Sequence, residues 1–170
     1  MQLQKKIVAL SGGKDSTAMA VRLKEIYPNE KFIFFCTPTG NELPEMKKHW
    51  KNLECILNQK IIYVQNKTLE YWIDYFGALP NWRQRWCTRL LKIEPCLSFL
   101  KSFKTKPLLY VGLRADEPER KGIYSENVET IFPLREWNWG LSEVKNYLSE
   151  KKISIPIRTD CSWFYVFIIK

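Results

Sequence analysis

One histidine, no C-x-x-C pair and no apolar run approaching a membrane span: this 170-residue sequence excludes several functions before it suggests one. The five cysteines stand at positions 36, 55, 87, 96 and 161, a spacing that writes neither a zinc ribbon nor a thioredoxin-type motif. Without a membrane-length run, or the apolar region of a signal peptide at the N-terminus, the expected compartment is the cytoplasm, where thiols stay reduced. Internal repeats, low-complexity tracts and linker-like stretches are also missing, so residues 1–170 are expected to form one domain. His49 lies beside Lys47 and Lys48 and is expected on an exposed helix face, with no catalytic role. Acidic residues are in deficit. The 27 Lys and Arg against 18 Asp and Glu leave a formal net charge of +9, which suits nucleic acid or a polyanionic small substrate.

What is present alternates short apolar runs with helical patterns. Ile7–Leu10, Phe32–Cys36, Ile61–Val64, Leu108–Val111 and Ile131–Phe132 read as strands. Between them, Met19, Leu23 and Ile26 share one helical face, as do Met46, Trp50, Leu53 and Leu57, with Asn41 as the expected cap and Pro44 in the first turn. Leu69, Trp72, Ile73 and Phe76 suit a short helix ending at Gly77. A helical stretch over Trp86–Lys92 is expected to break before Pro95, and a second helix to carry Cys96, Leu100 and Phe103. Leu141, Val144 and Leu148 mark the last helix. Strand–helix alternation implies an α/β fold: a three-layer, doubly wound parallel sheet of about five strands with helices on both faces. In such sheets ligands collect at the carboxyl ends of the strands.

At the end of the first strand stands Ser11-Gly12-Gly13-Lys14-Asp15-Ser16. A glycine-rich turn between a strand and a helix aims backbone N–H groups and the positive end of the helix dipole at one spot, and its glycines let an anion approach. Lys14 adds a mobile charge; Ser11 and Ser16 add hydroxyls. The loop is not a Walker A motif, because Val8 stands where its first glycine belongs and Asp15 where its Ser or Thr belongs. Four cations, Arg83, Arg85, Arg89 and Lys92, fall within ten residues, and Arg89 and Lys92, three apart, are expected on one helix face. Arg114 and Arg120 flank an acidic turn just past a strand end, where binding is the better reading. Thr39, Gly40 and Asn41 give a tight turn at a helix start, a second place for an anion or a ribose hydroxyl. Asp15, Glu42 and Asp116 are the carboxylates to consider for Mg²⁺.

The loop resembles the PP-loop, SGGxDS, of the ATP-pyrophosphatase and phosphoadenylyl-sulfate (PAPS) reductase superfamily. Thr39-Gly40-Asn41-Glu42-Leu43-Pro44-Glu45 is similar to the TGxExPE signature of the PAPS reductase family. Cys87 to Pro95 resembles its C-[CT]-x-x-x-K-x-x-P segment, Gly112 to Arg120 its GxRxxExxxR loop, and Pro133 to Trp137 its PL-x-x-W turn. The resemblance implies an adenine nucleotide, ATP or PAPS, held by Ser11, Gly12, Gly13, Lys14, Asp15, Ser16, Thr39, Gly40, Asn41, Glu42, Arg89, Lys92, Arg114 and Arg120. It implies catalytic roles for Lys14, Asp15, Arg114, Cys87 and Cys161, and Mg²⁺ on Asp15 and Asp116.

The chain departs from the reductases in its cysteines. The E-C-G-L-H motif is missing, and two of the four thiolates of the adenylyl-sulfate reductase cluster are absent, so a complete 4Fe-4S cluster is not expected. Cys161 runs instead into the apolar tail Phe164–Ile169: a buried terminal strand, an oligomer contact or the product of a truncation. Three functions compete: cleavage of ATP between its α- and β-phosphates to activate an acceptor for sulfur or nitrogen transfer, sulfonucleotide reduction through Cys161 or Cys87, and a nucleic-acid-directed modification or binding module.

Overall fold

The computed structural model describes residues 4–81, 83–121 and 126–157. Five strands, β1 (Lys6–Ala9), β2 (Phe32–Cys36), β3 (Ile61–Tyr63), β4 (Leu108–Tyr110) and β5 (Glu129–Ile131), form one sheet in the order β3-β2-β1-β4-β5. Every pairing is parallel, so the α/β doubly wound reading holds. The chain builds outward from β1 through β2 to β3, then crosses to the other side of β1 for β4. The loops after β1 and β4 therefore diverge from a switch point, where such sheets bind ligands.

The two-residue strand period splits the core. Val8, Phe32, Phe34 and Cys36 face a layer containing α1 (Lys14–Ile26), α2 (Pro44–Leu57) and α7 (Leu141–Glu150), through Met19, Leu23, Leu53, Val144 and Leu148. Ile7, Phe35 and Leu109 face the opposite layer, where Cys96 and Leu100 of α5 (Glu94–Lys101) pack. On α2 the buried positions are Met46, His49, Trp50, Leu53 and Leu57, one helical stripe. His49 belongs to that stripe, only 5% exposed, so the expected solvent-facing histidine is corrected: its spacing to Met46, Trp50 and Leu53 outweighs its lysine neighbours. Ile26, expected on one helical face with Met19 and Leu23, is exposed, and so is Cys55.

Two helix ends also differ from expectation. The cap of α2 is Leu43, with Pro44 in its first turn; the Asn41 amide donates instead to Glu70 at 3.0 Å, on α3 (Leu69–Phe76). The break before Pro95 is absent. A short helix α4 (Trp86–Thr88) runs through a π-helical turn, Arg89–Ile93, directly into α5. In that turn the Glu94 N–H reaches five residues back to the Arg89 carbonyl. The widened turn gives the ring of Pro95 room that a regular helix interior denies it. A short helix α6 (Pro133–Glu136) precedes α7. Among the described residues no helix is long and apolar enough to cross a membrane. Trp82, Cys161 and the tail from residue 158 lie outside the described residues.

Candidate functional site

At the carboxyl ends of β1, β2 and β4 lies a cavity of about 780 Å³. Its floor is the loop after β1. Ser11, Gly13, Lys14, Asp15 and Ser16 all line it. Gly13 is the N-cap of α1, so the N–H groups of Lys14, Asp15 and Ser16 have no carbonyl partner within the helix and stand at its positive end. The serines lock the loop: their hydroxyls lie 3.0 Å apart, Ser16 Oγ accepts from the Gly12 N–H at 3.2 Å, and Ser11 Oγ accepts from the Gly13 N–H at 3.3 Å. Gly12 holds φ +86°, in the left-handed region, which turns the chain from strand into helix.

Cations ring the cavity. Lys14, Lys92, Arg120 and Lys145 line it, with Asp15 as the carboxylate among the lining residues. Leu148, Ile153, Ile155 and Pro156 add an apolar part to the lining. With both cationic and apolar lining, the cavity suits a phosphorylated molecule with a flat or apolar body. Lys145 and Ser149, contributed by α7, escaped sequence reading because helical periodicity marks them only as surface positions.

Asp15 is held by Arg114. Arg114 is 9% exposed and donates through Nη1 to Asp15 (3.0 Å), through Nε to Asp116 (2.8 Å) and through Nη2 to Glu117 (2.9 Å). Burial opposes its charge, but the bonds to Asp116 and Asp15 prevail and raise its pKa. The same bond, helped by the Leu141 N–H, holds the Asp116 carboxyl below its ordinary range. Arg114 therefore ties the loop after β4 to the loop after β1, and Asp116 carries the tie to the start of α7 at 3.0 Å. Arg114 and Asp116 are not in the cavity lining. Arg135 fixes the other side of this turn, donating to the carbonyls of Arg114, Glu117 and Arg120. Sequence reading passed over it, since a lone arginine in a turn carries no signal of backbone partners.

Thr39, Gly40, Asn41 and Glu42 form a self-contained turn outside the lining. The Glu42 carboxylate accepts from the Thr39 N–H, the Thr39 hydroxyl (2.7 Å) and the Gly40 N–H (3.1 Å). The second anion place expected there is thus filled by the chain's own carboxylate. Arg89 and Lys92 do not share a face. The five-residue turn places Lys92 in the cavity, while Arg89, 72% exposed in its side chain, pairs with Glu94 at 3.2 Å. Cys87 is half-buried and outside the lining; Cys36 and Cys96 line the cavity. Burial pushes the Cys36 thiol up to about 12, with Glu42 and Glu54 adding to it, and the Cys96 thiol up to about 11. Among the described residues, no three His, Cys, Asp or Glu side chains gather to hold a metal ion.

A family model described as phosphoadenosine phosphosulfate reductase domain matches residues 5–157. Uncharacterized protein MJ0066 of Methanocaldococcus jannaschii is 30% identical over 154 residues, covering 86% of this chain and 32% of its own length. Uncharacterized protein MJ0973 of the same organism is 26% identical over 137 residues, covering 76% of this chain and 32% of its own. The chain spans about a third of the length of these curated relatives. Among solved structures, the phosphate complex of phosphoadenylyl-sulfate reductase from Candida auris shares the fold, with a TM-score of 0.68 at 15% identity, covering 99% of this chain and 80% of that one.

Proposed function

The chain belongs to the phosphoadenosine phosphosulfate reductase domain family, and from that premise we propose that it binds an adenine nucleotide and cleaves ATP between the α- and β-phosphates to activate an acceptor. The observation that carries this reading is the loop Ser11–Ser16 opening, with the free N–H groups of α1, into a cavity ringed by Lys14, Lys92, Arg120 and Lys145. An acceptor oxygen attacks the α-phosphorus, the bond to the bridging α,β-oxygen breaks, and pyrophosphate leaves with the electron pair. Charge accumulates on the leaving pyrophosphate, and fixed N–H dipoles with nearby cations stabilise it there without reorganising. The rest of the work is positioning, so no protein nucleophile is needed. The apolar wall at Leu148, Ile153 and Ile155 suits the adenine face. The acceptor, a setting in the cytoplasm and any homo-oligomer belong to the same reading, and the basic surface leaves nucleic acid as one class of acceptor.

Mg²⁺ fits Asp15 better than Asp116. Asp15 Oδ1 is buried with no protein partner, while its Oδ2 takes Arg114. Both Asp116 oxygens are engaged, by Arg114 and by the Leu141 N–H. Asp15 would be the protein ligand, with substrate phosphates and water completing the shell; the ion supplies charge neutralisation of the phosphates.

The second reading, sulfonucleotide reduction, draws on the same family membership. It needs a thiolate in the cavity; among the described residues Cys36 and Cys96 line it, and burial pushes both toward the protonated form, while Cys161, one of the two thiols this reading names, lies outside the described residues. Phosphorus NMR of the protein with ATP and Mg²⁺, then with PAPS, decides between them. Pyrophosphate and AMP from ATP are expected. Reduction of PAPS with ATP ignored overturns the reading and makes Cys87 and Cys161 the residues to mutate.

A further inference from the structure

The phosphate loop has two sides. Ser11 and Gly13–Ser16 line the cavity, whereas Gly12 turns away from it, against α2. A Cβ on Gly12 would stand 2.5 Å from Trp50 Nε1 and 2.8 Å from Met46 Cε. Trp50 is 6% exposed, and its indole N–H donates to the Ser11 carbonyl at 3.1 Å. Its neighbour His49 is 5% exposed. The Gly12 N–H is given to Ser16 Oγ. Through Trp50, α2 thus grips the Ser11 carbonyl of the loop from behind.

The geometry of a trans peptide gives this grip a consequence. Across each peptide plane the C=O and N–H point in opposite directions. Drawing the Ser11 carbonyl back to Trp50 sends the Gly12 N–H forward to Ser16 Oγ. We propose that Trp50 is a positioning residue of the anion loop: it touches no ligand, and by holding the Ser11 carbonyl from behind it sets the Gly12 N–H on Ser16 Oγ and so fixes the two serine hydroxyls that line the cavity. The proposal rests on the reading of Ser11–Ser16 as a phosphate site.

Calorimetry with inorganic pyrophosphate tests it, on the full chain. Trp50→Phe keeps the buried ring and removes the N–H donor; a roughly tenfold weaker pyrophosphate affinity is expected, with near-UV circular dichroism retained. Trp139→Phe, a core tryptophan that rests on Tyr147 at 5.0 Å, should leave affinity unchanged. In wild-type protein labelled at indole nitrogen, the Trp50 N–H resonance should shift on adding pyrophosphate, a signature that packing alone does not produce and that needs no variant to fold. Wild-type affinity in Trp50→Phe, or a Trp50 resonance unmoved at saturating pyrophosphate, overturns the positioning role and leaves the phosphate site standing. If wild-type protein binds neither pyrophosphate nor ATP, the reading of the site falls and takes the positioning role with it.

Discussion

Gly12 bears two constraints at once. Its φ of +86° costs an L-residue about 1–2 kcal/mol, and the space where a Cβ would go is taken by Trp50 and Met46. Gly12→Ala is therefore expected to displace the loop and weaken pyrophosphate binding by more than tenfold, measured by calorimetry, while the remote helices keep their far-UV signal. That a glycine belongs here is readable from Ser11–Ser16 alone; that it is Gly12 which takes the strained conformation, and that α2 is what it rests on, is not, since Trp50 lies 38 residues further along. The same holds for Arg114. Its place beside an acidic turn is legible, and Asp116 and Glu117 are its neighbours in that turn, but no local pattern brings Asp15, the third carboxylate, from the loop after β1.

At the level of elements, the site depends on how closely β4 approaches the start of α1. A Cβ on Gly112 would lie 3.0 Å from Ser16 N and 3.1 Å from the Asp15 carbonyl carbon. The neighbour is backbone, which yields little. Gly112→Ala should thus push on the N–H groups at the start of α1 that the proposed phosphate site uses, and a several-fold loss of nucleotide affinity is expected, read by titration against a melting temperature changed only modestly. The π-helical turn shows the converse, an element whose irregularity sets a side chain's direction. Regular spacing puts Arg89 and Lys92 together; the extra residue in the turn, opposite Pro95, separates them and leaves Lys92 in the cavity. Proline was visible in the sequence as a helix breaker. What it does beside a packed helix, widening one turn while Leu91, Cys96 and Leu100 stay buried, is a tertiary outcome.

Across the whole molecule, burial of His49 makes stability depend on pH. Desolvation lowers its pKa below the ordinary 6.5, with the nearby Gly12 backbone opposing in part. The unfolded chain therefore takes up the proton first as pH falls. The stability tied to the neutral ring is complete above about 6.5 and is lost as pH drops through the lowered folded value. Melting temperature should decline on acidification from pH 7 to 5, and His49→Gln should flatten that decline; an equally steep profile in the variant would place the effect elsewhere. The sequence by itself determined the parallel α/β architecture and the glycine turn Ser11–Ser16 between the first strand and helix, because strand–helix alternation and a glycine turn are local patterns whose physics acts over a few residues. Tertiary structure alone decided which cations reach the cavity, that Arg114 ties up Asp15, and that α2 grips the loop from behind, because each of these depends on side chains distant in sequence meeting at fixed distances, and only packing sets those distances.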